Sequence, residues 1–174
     1  MKRPCQLEIA HDVSAFDCGE EALNNFLKEN AWQSQQRKNT FTFVCLEKNS
    51  VIAYYSLAVS IFMHQAALDR TAGKPRTYSI PVLQISRLAV DKQKQGQKIG
   101  KHILRDALLR TCTIAQGAGF NCIVANAINE KARAFYQQFN FQSWPTDSFR
   151  LYLLMKDLRK SLAFDDALKG IESG

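Results

Sequence analysis

The most constraining feature of the sequence is an apolar strand, a basic glycine-containing turn and an amphipathic helix in direct succession. Residues 82–90 form an apolar, β-rich run, and Gln95-Gly96-Gln97-Lys98-Ile99-Gly100 follows it closely. From this turn onward, apolar or small residues recur on one helical face, at Ile99, Ile103, Leu104, Ala107, Leu108 and Thr111. Such a turn presents unpaired backbone N–H groups at the positive end of a helix dipole, which favours a phosphate or diphosphate ligand. The alternative is that the glycines only permit a tight connection.

The rest of the chain predicts a mixed α/β protein with about seven strands and four or five helices. We expect strands at residues 6–9, 40–46, 51–60, 82–90, 121–127 and 150–155. We expect helices at residues 20–28, 30–36 and 130–139, the last capped by Asn129, besides the helix that begins near Ile99. Residues 65–79 are polar and predict a connecting helix and loop, and Phe16-Asp17-Cys18-Gly19 predicts a turn.

Length and composition predict one ordered domain that spans residues 1–174, because 46% of the residues are apolar. No apolar segment follows the basic N-terminus, and no run of 18 apolar residues occurs, so we expect a cytoplasmic protein that does not cross a membrane. The five cysteines lack C-x-x-C spacing and the three histidines are scattered. This pattern predicts neither a disulfide framework nor a metal site.

The formal charge of +7 is concentrated around the glycine-containing turn. Between Arg87 and Arg110 there are seven basic residues against two acidic ones. This excess would attract phosphate-bearing ligands, including nucleic acids. A solvated basic face is the alternative interpretation.

The strand Arg87-Leu88-Ala89-Val90 and the turn after it resemble the acetyl-CoA signature of GNAT N-acetyltransferases, Q/R-x-x-G-x-G/A. Gln95 and Gly100 match the pattern, whereas Lys98 stands where the pattern has glycine. The resemblance implies the GNAT fold, a mostly antiparallel, twisted sheet flanked by helices whose splayed central strands hold acetyl-CoA. It implies acetyl-CoA as the cofactor, without a metal, held by Leu88, Ala89, Val90, Gln95, Gly96, Gln97, Lys98, Ile99, Gly100 and Lys101.

A second element, Asn129-x-x-Ala132-x-x-x-Tyr136, also resembles the GNAT pattern. In that family the asparagine and the tyrosine lie near the pantetheine arm and the thioester sulfur. The resemblance therefore implies that Asn129 and Tyr136 contact the cofactor and that Tyr136 is the catalytic general acid. The alternative is that Tyr136 is a core residue beside Phe135 and Phe139.

A narrower resemblance extends across nearly the whole chain. Its segments are Phe16-Asp17-Cys18-Gly19, Leu23-Asn24-Asn25-Phe26-Leu27, Ala53-Tyr54-Tyr55-Ser56-Leu57, Arg87-Leu88-Ala89-Val90-Asp91, Ala134-Phe135-Tyr136 and Phe149-Arg150-Leu151-Tyr152-Leu153. They are similar to the GNAT toxins of bacterial type II toxin–antitoxin pairs. This resemblance implies acetylation of the α-amino group of aminoacyl-tRNA, inhibition of translation, a ribbon-helix-helix antitoxin and a homodimer. Arg87, Lys92 and Lys94 then become candidate tRNA contacts, although these cations could instead serve the 3′-phosphate of CoA.

The implied reaction is direct attack of a neutral amine on the thioester carbonyl, with backbone N–H groups of residues 88–90 stabilising the oxyanion. An α-amine with a pKa of about 8 is partly neutral near pH 7, whereas deprotonating a lysine of pKa about 10.4 costs about 4.6 kcal/mol. The sequence offers few acidic candidates for a base, and the two, Asp91 and Glu130, are both plausible caps or surface residues, so an α-amine is favoured. Two alternatives are an N-acetyltransferase for a small-molecule or protein amine and a non-catalytic module that binds CoA or nucleic acid.

Overall fold

The computed structural model describes residues 2–65 and 77–158. The strands are β1 (Cys5–Gln6), β2 (Phe41–Glu47), β3 (Ser50–Gln65), β4 (Thr77–Val90), β5 (Cys122–Asn126), β6 (Gln142–Trp144) and β7 (Asp147–Leu154). The α-helices are α1 (Glu21–Asn25), α2 (Ala31–Gln36), α3 (Ile99–Ile114) and α4 (Glu130–Gln137). A π-helical turn, Phe26–Asn30, joins α1 to α2, and a 3₁₀ turn, Lys92–Lys94, follows β4.

The strands form one seven-stranded sheet in the order β1-β2-β3-β4-β5-β7-β6. β2 pairs antiparallel with β1 and β3, and β7 pairs antiparallel with β5 and β6. The predicted mixed α/β class and the number of strands are therefore confirmed.

Three local predictions were wrong. The first strand was expected at residues 6–9, but β1 covers Cys5–Gln6 and residues 9–10 form a turn. Residues 65–79 were expected to form a helix and loop, but Gln65 ends β3 and β4 begins at Thr77, so strand pairing outweighs the polar composition there. Residues 66–76 lie outside the described part of the chain. The two helices expected between residues 20 and 36 are joined through the π-helical turn instead of being separated.

The chain divides into two compact units, each built from two stretches of sequence. The first unit comprises Met1–Ala58 and Ile85–Thr111, and the second comprises Val59–Gln84 and Cys112–Gly174. The first has a core around Phe16, Tyr54 and Ala89, and in the second Val82 packs with Cys122 and Val124. A single domain over residues 1–174 stays a prediction.

Within the described part of the chain, none of the helices combines the length and the apolar character that crossing a membrane requires.

Candidate active site

The turn at residues 95–100, called the diphosphate turn below, leads directly into α3. Gly96 and Lys98 both have positive φ, at 79° and 62°, and α3 begins at Ile99. The N–H groups of Gly96, Gln97 and Lys98 donate no hydrogen bond to any residue that the structure describes. These exposed donors at a helix N-terminus can bind an anion.

Lys98 occupies the left-handed backbone region, in which a side chain is unfavourable by roughly 1–2 kcal/mol. The glycine of the family pattern would adopt this conformation freely. We expect Lys98→Gly to raise the free energy of unfolding by about 0.5–1 kcal/mol, the cost of glycine flexibility offsetting part of the relief. The matched variant Lys101→Gly should lower it by up to about 1 kcal/mol, since Lys101 is helical. Urea unfolding measures both, and a loss of stability in Lys98→Gly would contradict the prediction.

β4 ends shortly before the diphosphate turn, and hydrogen bonds from Asp91 and Gln95 hold the chain at this point. Ala89 is buried, and the Asp91 N–H donates to the carbonyl oxygen of Ile52 at 2.9 Å. The Gln95 side-chain Nε2 donates to the carbonyl oxygens of Val90 and Cys18, each at 3.1 Å. Gln95 therefore uses its side chain to fix the backbone, which leaves the backbone N–H groups of the turn to face a ligand.

Asn129 and Tyr136 lie at opposite ends of α4. The Asn129 Oδ1 accepts from the Ala132 N–H at 2.9 Å, which confirms the predicted helix cap. The Tyr136 ring is buried, and its centroid lies 5.5 Å from that of Phe135 and 5.3 Å from that of Phe141. Burial raises the pKa of the Tyr136 phenol, so the phenol stays protonated at neutral pH.

The three predicted tRNA contacts have different surroundings. Lys92 forms an ion pair with Asp17, and Lys94 forms one with Glu47 at 2.7 Å. The Arg87 guanidinium carbon lies 3.6 Å from the centroid of the Phe26 ring, in a cation–π contact. Binding tRNA through Lys92 or Lys94 would have to compete with these ion pairs, whereas the Arg87 guanidinium is held by an uncharged ring.

Arg87 also lines a groove of about 380 Å³ beside the π-helical turn. Phe26 lines it too, with the polar side chains of Asn25, Asn30, Gln33, Arg37, Asn39 and Arg87. The described residues that line it include two arginines and no acidic residue, so its potential favours anionic ligands. π-helical turns of this kind are frequent at functional sites.

The predicted site residues fall into the two units. Arg87, residues 88–90, Lys92, Lys94 and residues 95–101 belong to the first unit, while Asn129 and Tyr136 belong to the second. Within the first unit, the structure brings β4, the diphosphate turn and the start of α3 together. Among the described residues, there is no cluster of three His, Cys, Asp or Glu side chains that could hold a metal ion.

Sequence reasoning missed one group of residues beside the diphosphate turn. The turn at residues 16–19, expected only as a turn, hydrogen-bonds to Asp91, Lys92 and Gln95. Gly19, with φ of 89°, bends the chain here, and its N–H donates to Asp17 Oδ1 at 2.9 Å, whereas the turn with a backbone hydrogen bond lies just before, at residues 14–15. The signal available in the sequence was the Asp-Cys-Gly motif, but nothing local identified its distant partners.

Residues 38–143 match the family model described as the acetyltransferase (GNAT) domain. The chain therefore belongs to the GNAT acetyltransferase family. It is 36% identical over 156 residues to the tRNA-acetylating toxin of Mycobacterium tuberculosis, covering 90% of this chain and 93% of that protein.

Solved structures of one GNAT toxin, AtaT, agree with this assignment. AtaT complexed with acetyl-methionyl-tRNAfMet is 28% identical with a TM-score of 0.77, covering 92% of this chain and 98% of that one. AtaTR bound with AcCoA is 27% identical with a TM-score of 0.79, covering 93% and 96%. A tyrosine-to-phenylalanine mutant of AtaT bound to the C-terminus of the antitoxin AtaR is 26% identical with a TM-score of 0.75, covering 90% and 94%. These similarities confirm the predicted GNAT fold.

Proposed function

We propose that this acetyl-CoA-dependent N-acetyltransferase is the toxin of a toxin–antitoxin pair and acetylates the α-amino group of aminoacyl-tRNA, thereby inhibiting translation. The observation that carries the proposal is the 36% identity, across nine-tenths of the chain, to a tRNA-acetylating toxin. The fold shared with AtaT in complex with acetyl-methionyl-tRNA supports the same substrate class. Because charged tRNA is the proposed substrate, the cytoplasm is the proposed location.

The diphosphate turn supports binding of acetyl-CoA, which is a substrate of the reaction and supplies the acetyl group as a thioester. Backbone N–H groups of residues 96–98 would bind its diphosphate, and residues 88–90 of β4 would bind along the thioester end. Ile99, Gly100 and Lys101 open α3, whose dipole adds positive potential at this point. Asn129 and Tyr136 are the proposed contacts to the pantetheine arm.

The proposed chemistry is a single transfer step. The neutral α-amine attacks the thioester carbonyl, a C–N bond forms, and the C–S bond breaks. Backbone N–H groups of residues 88–90 would stabilise the oxyanion. Tyr136 would give its proton to the departing thiolate, and the proton that the nitrogen loses as the amide forms would pass, directly or through water, to the Tyr136 phenolate, so that amine and thioester become amide and thiol.

An α-amine is the better acceptor because the two candidate base carboxylates already have hydrogen-bond or ion-pair partners. Asp91 accepts hydrogen bonds from the N–H groups of Gln93 and Asp17, at 2.9 and 3.0 Å. Glu130 forms an ion pair with Arg133 at 2.8 Å. Both carboxylates therefore already have partners, and removing the proton of a lysine ammonium costs about 4.6 kcal/mol near pH 7 against about 1 kcal/mol for an α-amine.

We propose that the groove beside Arg87 receives the terminal nucleotides of the charged tRNA. Its amides and two arginines match phosphate oxygens and base edges, and a guanidinium plane can stack on a base. Arg87 is already ordered on Phe26, so less rotamer entropy is lost when a nucleotide binds. Lys92 and Lys94 stay secondary candidates, since each would exchange an ion pair for a phosphate contact.

We expect Arg87→Ala to raise KM for aminoacyl-tRNA about tenfold, or about 1.4 kcal/mol, with KM for acetyl-CoA within twofold. The matched variant is Lys48→Ala, which removes an exposed positive charge outside the groove. It should leave both values within twofold. Steady-state acetylation of charged tRNA measures both constants. A tenfold rise in KM for acetyl-CoA instead would assign Arg87 to the cofactor and contradict the proposed groove.

The decisive test of the function is acetylation of a mixed pool of charged tRNAs by the purified protein. Formation of acetyl-aminoacyl-tRNA, with stoichiometric release of CoA thiol, is the expected result. Acetylation of a small amine or a protein amine without acetylation of charged tRNA would favour the alternative enzyme. The absence of any thiol release would favour a non-catalytic binding module.

The proposed protein partner is an antitoxin, since a relative with the same fold binds the C-terminus of the antitoxin AtaR. We propose a ribbon-helix-helix antitoxin and a homodimeric toxin. Growth arrest on expression of this chain alone, relieved by co-expression of a short DNA-binding protein encoded beside it, is the expected result. Normal growth with soluble, active protein would contradict the toxin assignment.

A further inference from the structure

The turn at residues 16–19, called the support turn below, is bonded to the segment that carries the diphosphate turn. The Asp17 N–H donates to Asp91 Oδ2 at 3.0 Å, and the Lys92 N–H donates to the Asp17 carbonyl oxygen at 2.8 Å. The Gln95 Nε2 donates to the Cys18 carbonyl oxygen at 3.1 Å. With the ion pair between the Lys92 ammonium and the Asp17 carboxylate, four contacts therefore join the support turn to the chain between the end of β4 and the start of the diphosphate turn.

The support turn is itself fixed by two side chains. The Asp17 Oδ1 accepts from the Gly19 N–H and from Asn24 Nδ2, both at 2.9 Å. The Asn24 Oδ1 accepts from the Cys18 N–H at 2.9 Å. The Lys92 ammonium holds the pKa of the Asp17 carboxyl well below its usual range, so the carboxylate is ionised at neutral pH. Asp17 and Asn24 thus hold in place the carbonyl groups that Gln95 and Lys92 bind.

We propose that Asp17 and Asn24 are positioning residues for the diphosphate of acetyl-CoA. They hold the support turn so that its bonds to Asp91, Lys92 and Gln95 fix the backbone of the diphosphate turn. This inference rests on the proposed acetyl-CoA site, and it assigns a function to the Asp-Cys-Gly motif, which the proposed chemistry leaves unused.

The physical reason is that backbone N–H groups bind phosphate well only when their directions are already set. The diphosphate turn is exposed at residues 95–98, and the backbone N–H groups of residues 96–98 donate no hydrogen bond to any described residue. The Gln97 side chain donates to the Gln93 carbonyl oxygen at 3.3 Å, but this contact does not set the directions of the backbone N–H groups. Anchoring at Asp91, Lys92 and Gln95 restricts the conformations of the turn before the ligand arrives. Loss of the anchor therefore costs binding affinity, because ordering is transferred to the binding step.

The test uses the variants Asp17→Ala and Asn24→Ala in the full chain. Each should raise KM for acetyl-CoA and the Kd for CoA about tenfold, while kcat and KM for aminoacyl-tRNA stay within twofold. Asp17→Asn, whose amide oxygen can still accept from Gly19 and Asn24, should stay within threefold of the wild type. The matched control is Asp12→Asn, because Asp12 accepts hydrogen bonds from Ser14 and Ser50 in an exposed turn that does not bond to residues 91–100.

Titration calorimetry with CoA and with dephospho-CoA shows which phosphate group of the ligand loses affinity in the variants. Both ligands contain the diphosphate, so the loss of affinity should be the same for both. A loss confined to CoA would place the effect at the 3′-phosphate, through the released Lys92, and would overturn the inference. Equal losses in kcat and in both KM values, or the same loss in Asp12→Asn, would show general destabilisation and would also overturn it.

Failure of this inference is distinguishable from failure of the proposed function. A wild-type protein that binds no CoA would refute the acetyl-CoA site itself. If the wild type binds CoA but Asn24→Ala binds it equally tightly, only the positioning role is refuted. If Asp17→Ala does not fold, Asn24→Ala still decides the question, because it leaves the Lys92 ion pair in place.

Discussion

Replacing Tyr136 with phenylalanine is expected to slow acetyl transfer about a hundredfold or more while leaving the Kd for CoA within twofold. The variant removes the proton that we propose the phenol gives to the departing thiolate. It keeps the ring, which packs against Phe135 and Phe141 in the buried interior of the second unit. Single-turnover acetylation of charged tRNA, together with calorimetric binding of CoA, separates the chemical step from cofactor binding.

Tyr152→Phe is the matched control, because it makes the same change in the same unit. The Tyr152 hydroxyl donates to Gln142 Oε1 at 2.9 Å in an exposed setting on β7. We expect its transfer rate to stay within twofold of the wild type. An unchanged rate in Tyr136→Phe would remove Tyr136 from catalysis and restore the interpretation that it is a core aromatic residue.

The pH dependence of the wild-type rate gives an independent check on Tyr136. Burial raises the pKa of this phenol above its ordinary value near 10, so its acid form persists throughout the neutral and moderately alkaline range. The rate should therefore rise as an α-amine of pKa about 8 is deprotonated, and no falling limb should appear up to about pH 9. A bell-shaped profile with a falling limb near pH 8 would contradict a buried tyrosine as the general acid.

The parts of the structure that the sequence could predict are those with local causes. The apolar face of α3 and the Asn129 cap depend on residues within a few positions of one another, and both are present. The three residues of β6 are too few for a periodic pattern, and they are ordered by pairing with β7. The π-helical join between α1 and α2 likewise carried no signal that distinguishes it from two separate helices.

The candidate site, too, could be predicted from the sequence only where its causes are local. The glycine-containing turn and the helix after it have local causes, and the structure has both, whereas the binding of a diphosphate there stays a prediction. The contacts of Asp17 and Cys18 reach partners 74 and 77 positions away, which no local pattern can reveal. The ion pairs of Lys92 and Lys94 are also long-range, and sequence reasoning had counted both residues as available for tRNA.

Replacing Asp106 with alanine is expected to lower the free energy of unfolding by about 3 kcal/mol or more, because it removes the acceptor from a buried ionic cluster. Asp106 is 5% exposed in α3. Its Oδ1 accepts from Arg3 at 2.8 Å, and its Oδ2 accepts from Arg110 at 2.7 Å and from the Tyr55 hydroxyl. The Arg110 guanidinium also lies 4.0 Å from the centroid of the Phe43 ring, so alanine would leave it half-buried without its carboxylate.

For a chain of this size, a loss of about 3 kcal/mol corresponds to a fall in Tm of roughly 6–12 °C. Glu47→Ala breaks the exposed Lys94 pair and serves as the control, with an expected loss below about 1 kcal/mol. Asp106→Asn keeps an oxygen acceptor and should lie between the two. Urea unfolding at neutral pH measures all three variants, and similar losses in Asp106→Ala and Glu47→Ala would contradict a special role for the buried carboxylate.

The hydrogen bonds of Asp106 also predict how the free energy of unfolding changes with pH. Although burial opposes ionisation, hydrogen bonds from Tyr55, Arg3 and Arg110 hold the pKa of Asp106 below its ordinary value. A carboxyl with a lowered folded-state pKa stabilises the fold fully above its unfolded pKa of about 3.9, and this contribution is lost as the pH falls through the lowered value. The stability gap between the wild type and Asp106→Ala should therefore be constant from about pH 7 to about pH 5 and narrow in more acidic solution. A gap that widens on acidification would show that Asp106 is protonated in the native state and would refute the ionic cluster.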